Sequence, residues 1–202
     1  MAAYGDGIVL FGGYGTAIHS LNDTWTWTPE EGWTELTLAI SPPGRRYHSM
    51  QAIGAGGAQM VVLFGGTART DEAHDTALGD TWLFVQGQWE VNPKMVPPLA
   101  PNPRWGHSMV CAPPAWLEAG GSSHAECVLF GGAALSEDDH FDDTWMLNDV
   151  GWKQSQPGVA RPGPKPAGRW SFQMASCGTG VLMAGGSCVA YPSVPRGSTV
   201  FN

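Results

Sequence analysis

The stretch Val62-Leu63-Phe64-Gly65-Gly66 decides the fold, because it does not stand alone. The same five residues occur at Val9 to Gly13 and at Val128 to Gly132, and a weaker copy follows at Leu182-Met183-Ala184-Gly185-Gly186. Self-similarity at a fixed period points to a repeat architecture and takes precedence over local propensity.

Working outward from the glycine pairs, Asp-Thr-Trp follows at Asp23, Asp80 and Asp143, giving Trp25, Trp82 and Trp145. A further tryptophan comes 7 or 8 residues later, at Trp33, Trp89 and Trp152. Ahead of each later copy runs a lead-in: Arg45 to Met50 (RRYHSM), Arg104 to Met109 (RWGHSM) and Arg169 to Met174 (RWSFQM). Eight of the ten tryptophans fall at equivalent positions, leaving Trp27 and Trp116 outside the scheme. Asp23 to Asp80 is 57 residues and Asp80 to Asp143 is 63, so the unit is near 60 with loops of variable length.

Each unit divides into short runs rich in aromatic and β-branched residues, bounded by Gly, Pro, Asn or Asp, which is a strand signal. In the second unit the strands are expected at Tyr47 to Ile53, Met60 to Phe64, Thr81 to Gln86 and Gln88 to Val91. One four-stranded antiparallel sheet with apolar residues on both faces cannot bury them, whereas such sheets stacked around an axis can. The glycine pairs (Gly12, Gly13, Gly65, Gly66, Gly131, Gly132) then mark places where a Cβ would clash or φ must be positive. The expected fold is all-β, a propeller.

These elements, in this order, resemble the kelch repeat: a strand ending in Gly-Gly, an Asp-Thr-Trp strand, a final strand opening with Trp, and an Arg-x-x-His lead-in. The resemblance covers nearly the whole chain. It implies a kelch-type β-propeller of about four blades, incomplete at both ends, as a single partial domain over 1–202 with units at about 1–44, 45–103, 104–168 and 169–202. Met1 to Gly13 aligns without a gap on Met174 to Gly186, which places Met1 inside a first strand. Ser198 to Asn202 is aligned with the Asp-Thr-Trp strand of the fourth unit. Further blades from a longer chain or another subunit are therefore among the expected partners. Kelch propellers often serve as protein-binding scaffolds, and galactose oxidase is an enzymatic relative, so a site at the central opening is the alternative; fold alone does not choose.

Composition narrows the function. The 202 residues carry 28 Gly and 16 Pro but only 14% charged residues, with a formal charge of −8. Nothing in that balance suits a nucleic-acid backbone or an anionic membrane, which call for clustered Lys and Arg. No apolar run reaches the ~18 residues that cross a bilayer, and the first residues lack a basic, then apolar, leader. Cys111, Cys127, Cys177 and Cys188 match no zinc spacing and are read mostly as buried thiols of a cytoplasmic protein, with a Cys111–Cys127 bridge across one hairpin as the less common outcome.

Candidate functional residues separate by repetition. Arg45, Arg104 and Arg169 recur in every lead-in, with His48 and His107 in two of the three, and an active site is asymmetric, so they are expected to bind backbone carbonyls or pack between blades. Asp23, Asp80 and Asp143 are expected to close turns on nearby N–H groups. The loops after the glycine pairs differ from unit to unit and are the expected partner-binding surface. They hold Tyr14 and His19 in the first, Asp71, Glu72, His74 and Asp75 in the second, and Glu137, Asp138, Asp139 and His140 in the third. The acidic pair of loops favours another protein with a basic surface. No catalytic residue, cofactor or metal is expected. A metal held by His19, His74 and His140 would need loops of unequal length to converge, and an exposed Trp116 or Tyr14 offers only thin support for glycan binding.

Overall fold

The computed structural model describes residues 1–15, 19–54, 59–69, 74–91, 95, 100–111, 127–135, 140–148, 151–155, 165–177, 180–189 and 198–200. Among them every regular element is a strand. The first sheet orders β1 (Ala2–Tyr4), β2 (Gly7–Tyr14), β3 (Ser20–Thr28) and β4 (Gly32–Leu36) in sequence. In the second unit β5 (Ser49–Ile53) and β6 (Met60–Phe64) precede a small hairpin, β7 (Thr67–Arg69) with β8 (Asp75–Ala77), and β9 (Thr81–Val85) and β10 (Gln88–Val91) complete the sheet. The third sheet is β11 (Ser108–Cys111), β12 (Cys127–Phe130), β13 (Thr144–Asn148) and β14 (Gly151–Gln154). The fourth has three strands, β15 (Trp170–Cys177), β16 (Gly180–Val189) and β17 (Ser198–Val200). All pairings are antiparallel, and the first strands of successive sheets lie side by side, β1 with β5, β5 with β11 and β11 with β15. The sheets are thus blades whose first strands line the axis.

Register makes the repeat quantitative. Leu10 opposes Trp25, Leu63 opposes Trp82, and Leu129 opposes Trp145. One step outward, Trp27 opposes Trp33, Phe84 opposes Trp89, and Leu147 opposes Trp152. Trp27, unassigned by the sequence pattern, therefore occupies the place of Phe84 and Leu147. Because strand side chains alternate between faces, Val9 and Phe11 point to one side and Leu10 to the other.

Two clusters form the core. Val9 and Phe11 of blade 1 pack with Val61, Leu63, Phe84 and Trp89 of blade 2. Val62 and Phe64 of blade 2 pack with Met109, Leu129, Leu147 and Trp152 of blade 3. Each interface is fastened by one buried hydrogen bond of the same kind: Trp89 Nε1 donates to Thr24 Oγ1 and Trp152 Nε1 to Thr81 Oγ1, both at 3.0 Å.

Two expectations are corrected. Cys111 and Cys127, directly opposed on β11 and β12, form a disulfide, because the register brings their Cβ atoms together; of the remaining thiols, Cys177 is exposed and Cys188 half-buried. β17 takes the third place, beside β16, as the Asp-Thr-Trp strands do in the other blades, but in an earlier register. Val200 pairs with Ser187, one residue past a glycine pair, where blade 1 pairs Ser20 with Tyr14, so Val200 stands three residues before the Asp23 position. The loop after Gly66 also holds structure, the β7–β8 hairpin, because Thr67 to Arg69 and Asp75 to Ala77 continue the ladder direction of the lead-in.

Candidate interaction rim

The lead-ins and the glycine pairs meet at one end of the blades. Antiparallel pairing of first and second strands puts the start of β5 beside the end of β6, and the ladder extends past the strands through Arg46 opposite Thr67 and Trp105 opposite Ala133. The variable loops leave from the same end.

Each lead-in arginine joins two blades. The Arg45 backbone accepts from Gly13 N (2.9 Å) and donates to Leu21 O (3.0 Å) in blade 1, while its guanidinium reaches Gly65 O (3.1 Å) and both oxygens of Asp80 (2.7 Å each) in blade 2. Arg104 repeats this between blades 2 and 3: its carbonyl accepts from Gly66 N (2.9 Å), and its guanidinium binds Gly131 O (3.0 Å) and Asp143 (2.6 and 2.9 Å). Arg169 accepts from Gly132 N (2.8 Å) and donates to Gly185 O (3.1 Å). The first glycine of each pair is required by this crossing: Gly65 has φ +66°, and a Cβ there would stand 2.7 Å from Arg104 O.

The aspartates do more than close turns. Trp25, Trp82 and Trp145 donate their indole N–H groups back to Asp23, Asp80 and Asp143 at 2.6 to 2.7 Å. Burial pushes the Asp80 and Asp143 carboxyls up, but hydrogen bonds and charge from Arg45 and Arg104 override it and hold both below the usual carboxylate value. The lead-in histidines are buried bases. Desolvation, with the charges of Arg45 and Arg104 adding to it, lowers His48 and His107 from 6.5 to about 3. Both are neutral imidazoles packed edge-on, His48 against Phe11 and His107 against Phe64.

Beside these frames runs a row of aromatic side chains that touches all four blades. The Arg46 guanidinium lies 4.9 Å from the Tyr14 ring and 5.6 Å from the Tyr47 ring; Tyr47 then meets Trp105 (5.5 Å), and Trp105 meets Trp170 (5.0 Å). Tyr14 and Tyr47 are more than half exposed. Tyr47, Gly106 and Ser171 share a left-handed backbone (φ +57°, +64° and +53°), and Gly106 N donates to Tyr47 O and Ser171 N to Gly106 O, which locks neighbouring lead-ins together. The row was detectable in sequence as the large residue after each lead-in arginine: Arg46, Trp105 and Trp170.

Of the expected loop residues, Tyr14, His19, His74, Asp75 and His140 lie among the described residues. His19 and His74 are exposed, and His140 is half-buried and bridges to Ala133. Asp75 is bound to Arg46 (2.7 and 2.9 Å), so its charge is already neutralised. Asp71, Glu72, Glu137, Asp138, Asp139 and Trp116 lie outside the described residues. Among the described residues no group of three His, Cys, Asp or Glu side chains is placed to hold a metal.

The profile of the KLHDC2/KLHL20/DRC7 Kelch-repeats domain matches residues 1–186. The chain belongs to the kelch-repeat family. Among the relatives it matches are an F-box/kelch-repeat protein of Arabidopsis thaliana, 30% identical over 71% of this chain, and Adagio-like protein 1 of Oryza sativa subsp. japonica, 27% identical over 98% of it. The chain spans 29% of the length of either. The solved structure of YjhT shares the fold, with a TM-score of 0.59 at 16% identity, covering 92% of this chain and 58% of that one.

Proposed function

We propose that this kelch chain is a non-enzymatic interaction module that binds another protein through its loop-bearing rim. The observation that carries the reading is how the rim's charges are used. Arg45, Arg46 and Arg104 are each bound to an aspartate of the same frame, so these groups hold blades rather than face a substrate. What the rim offers outward is surface: the exposed rings of Tyr14 and Tyr47 and loops whose sequence differs from blade to blade. One relative's name pairs an F-box with kelch repeats, and kelch scaffolds generally bind proteins.

The finer part of the proposal concerns charge. With a formal −8 overall and Asp71, Glu72, Glu137, Asp138 and Asp139 in the two acidic loops, the preferred partner presents a basic face. Partners retained by the chain are to be compared for the unmodified protein, a Tyr47→Ala variant, an Asp138→Lys/Asp139→Lys variant, and Glu35→Lys on the exposed outer strand as control. Rim variants are expected to lose the partner about tenfold or more, with salt weakening the unmodified complex, while the control retains it. Equal retention by all four overturns the proposal.

A further inference from the structure

One guanidinium of the rim shows how the aromatic row treats a cation. The Arg46 guanidinium carbon lies 4.9 Å from the centre of the Tyr14 ring and 5.6 Å from that of Tyr47, and Nη2 donates to both oxygens of Asp75 at 2.7 and 2.9 Å. Its charge is thereby cancelled within the fold, and Arg46 is only 8% exposed. The two rings are not used up by it: Tyr14 is 59% and Tyr47 56% exposed. Beyond Tyr47 the row continues through Trp105 and Trp170, both partly buried, with neighbouring rings 5.5 and 5.0 Å apart and tilted by 47° and 56°.

Charge and hydrogen bonding decide what suits the exposed ring faces. An aromatic face is electron-rich and attracts a cation. The surrounding charge has the matching sign: the segment from Arg69 to Asp75 holds three carboxylates against one arginine, and the whole chain carries −8. An acidic ligand meets the opposite, since Arg45, Arg46 and Arg104 are each already bound to an aspartate. Donors that sugar hydroxyls or peptide carbonyls would use are spent inside the row: Gly106 N on Tyr47 O, Ser171 N on Gly106 O and Trp105 Nε1 on Ala134 O. Among cations, a guanidinium is flat and weakly hydrated, so it lies on a ring and keeps its edge N–H groups for water or carboxylate, whereas an ammonium holds its water more tightly.

We infer that the aromatic row is a stacking site for arginine side chains of a partner protein, whose guanidinium groups lie on the exposed faces of Tyr14 and Tyr47 and are preferred there over lysine. The inference rests on the protein-binding reading of the rim and names the residue type that the partner brings. Arg46 is the inner layer of the stack: it joins Tyr14 of blade 1 to Tyr47 of the next lead-in, and with Asp75 balancing its charge it does not repel a second guanidinium outside. Tyr47 is already fixed by its left-handed backbone (φ +57°) and by the bond from Gly106 N to its carbonyl (3.0 Å), so little ordering is left for binding to accomplish.

The test uses the full chain and three capped peptides of one design, with arginine, lysine or citrulline spaced by Gly-Ser; citrulline keeps the planar group without its charge. Binding is followed by fluorescence anisotropy of the labelled peptide. The arginine peptide is expected to bind about fivefold more tightly than the lysine peptide and about tenfold more tightly than the citrulline one. Tyr14→Ala combined with Tyr47→Asn, asparagine being tolerant of a left-handed backbone, is expected to weaken the arginine peptide about tenfold and abolish the preference over lysine. Tyr14→Phe combined with Tyr47→Phe keeps the rings and should keep both. Equal affinity for arginine and lysine reduces the rim to its net charge and overturns the inference, while a basic partner remains the reading of the rim. Equal affinity for arginine and citrulline overturns it too, as does tighter binding of a glutamate peptide, a proline-rich peptide or a neutral oligosaccharide. If no arginine peptide binds, the inference falls; a partner protein still retained by the unmodified chain and lost by Tyr47→Ala then shows that the protein-binding reading survives it. Should the alanine and asparagine variant fail to melt cooperatively, the comparison of the three peptides on the unmodified chain decides alone.

Discussion

At the scale of single residues, the repeated charged groups gain their meaning from what they cross. Arg45 and Arg104 are fully buried, which is tolerable only because carboxylate and carbonyl oxygens meet each guanidinium in its plane. His48 and His107 sit at the same lead-in position without a charged partner, and the third lead-in has Phe172 there. Their lowered folded value, about 3 against the usual 6.5, sets the sign of a pH effect. Between these values the unfolded chain binds protons that the folded chain does not, so stability is full above pH 6.5 and declines as pH falls toward 3. Urea midpoints measured from pH 7 to pH 4 should therefore fall, and His107→Phe, copying Phe172, should flatten the slope. A slope unchanged by His107→Phe would contradict this account. The residue types and their spacing were visible in the sequence; that Asp80 binds Arg45 was not, since the two are 35 residues apart and only the sheet stacking brings them together.

At the scale of elements, strand positions in the second unit were legible because β6, β9 and β10 carry aromatic or β-branched residues and Gly65, Asp80, Gly87 and Asn92 punctuate the stretches beside them. The β6 expectation, Met60 to Phe64, coincides with the strand, and β9 ends one residue earlier than expected because Gln86 turns with φ +50°. The β7–β8 hairpin escaped notice because Thr67 to Arg69 and Asp75 to Ala77 are too short to show alternation; the Arg46 to Thr67 bridge and the Arg46 to Asp75 ion pair hold it. The Cys111–Cys127 bond likewise depends on register, since a one-residue slip would put the two side chains on opposite faces. With a sequence separation of 16, its loss should cost about 3 kcal/mol. Thermal melting with and without reductant should show that drop, and a Cys111→Ala/Cys127→Ala variant should melt low and ignore reductant. A midpoint indifferent to reductant in the unmodified chain would count against a stabilising bridge.

At the scale of the whole molecule, stability resides between blades, so the same residue type at the same repeat position has different worth in different blades. Trp89 is buried between blades 1 and 2 and hydrogen-bonded to Thr24, while Trp33 lies on the open face. Trp89→Ala is expected to cost about 3–5 kcal/mol, and Trp33→Ala under about 1 kcal/mol, read from urea unfolding of the two variants side by side. Similar costs would mean that the open face is already packed. The candidate rim follows the same logic: blade stacking gathers lead-ins and loops at one end, which is the surface the proposed partner would meet.

The sequence by itself determined the repeat, the strand order within a blade and the kelch family, because those rest on spacing along the chain and recur in fixed order. It also marked the rim loops as the variable part. Only the tertiary structure decided what the repeated groups bind: Arg45 to Asp80, Trp89 to Thr24, Cys111 to Cys127, and the row from Tyr14 to Trp170. Those contacts join residues of different strands or blades, and their partners are chosen by register and stacking, which no local pattern encodes.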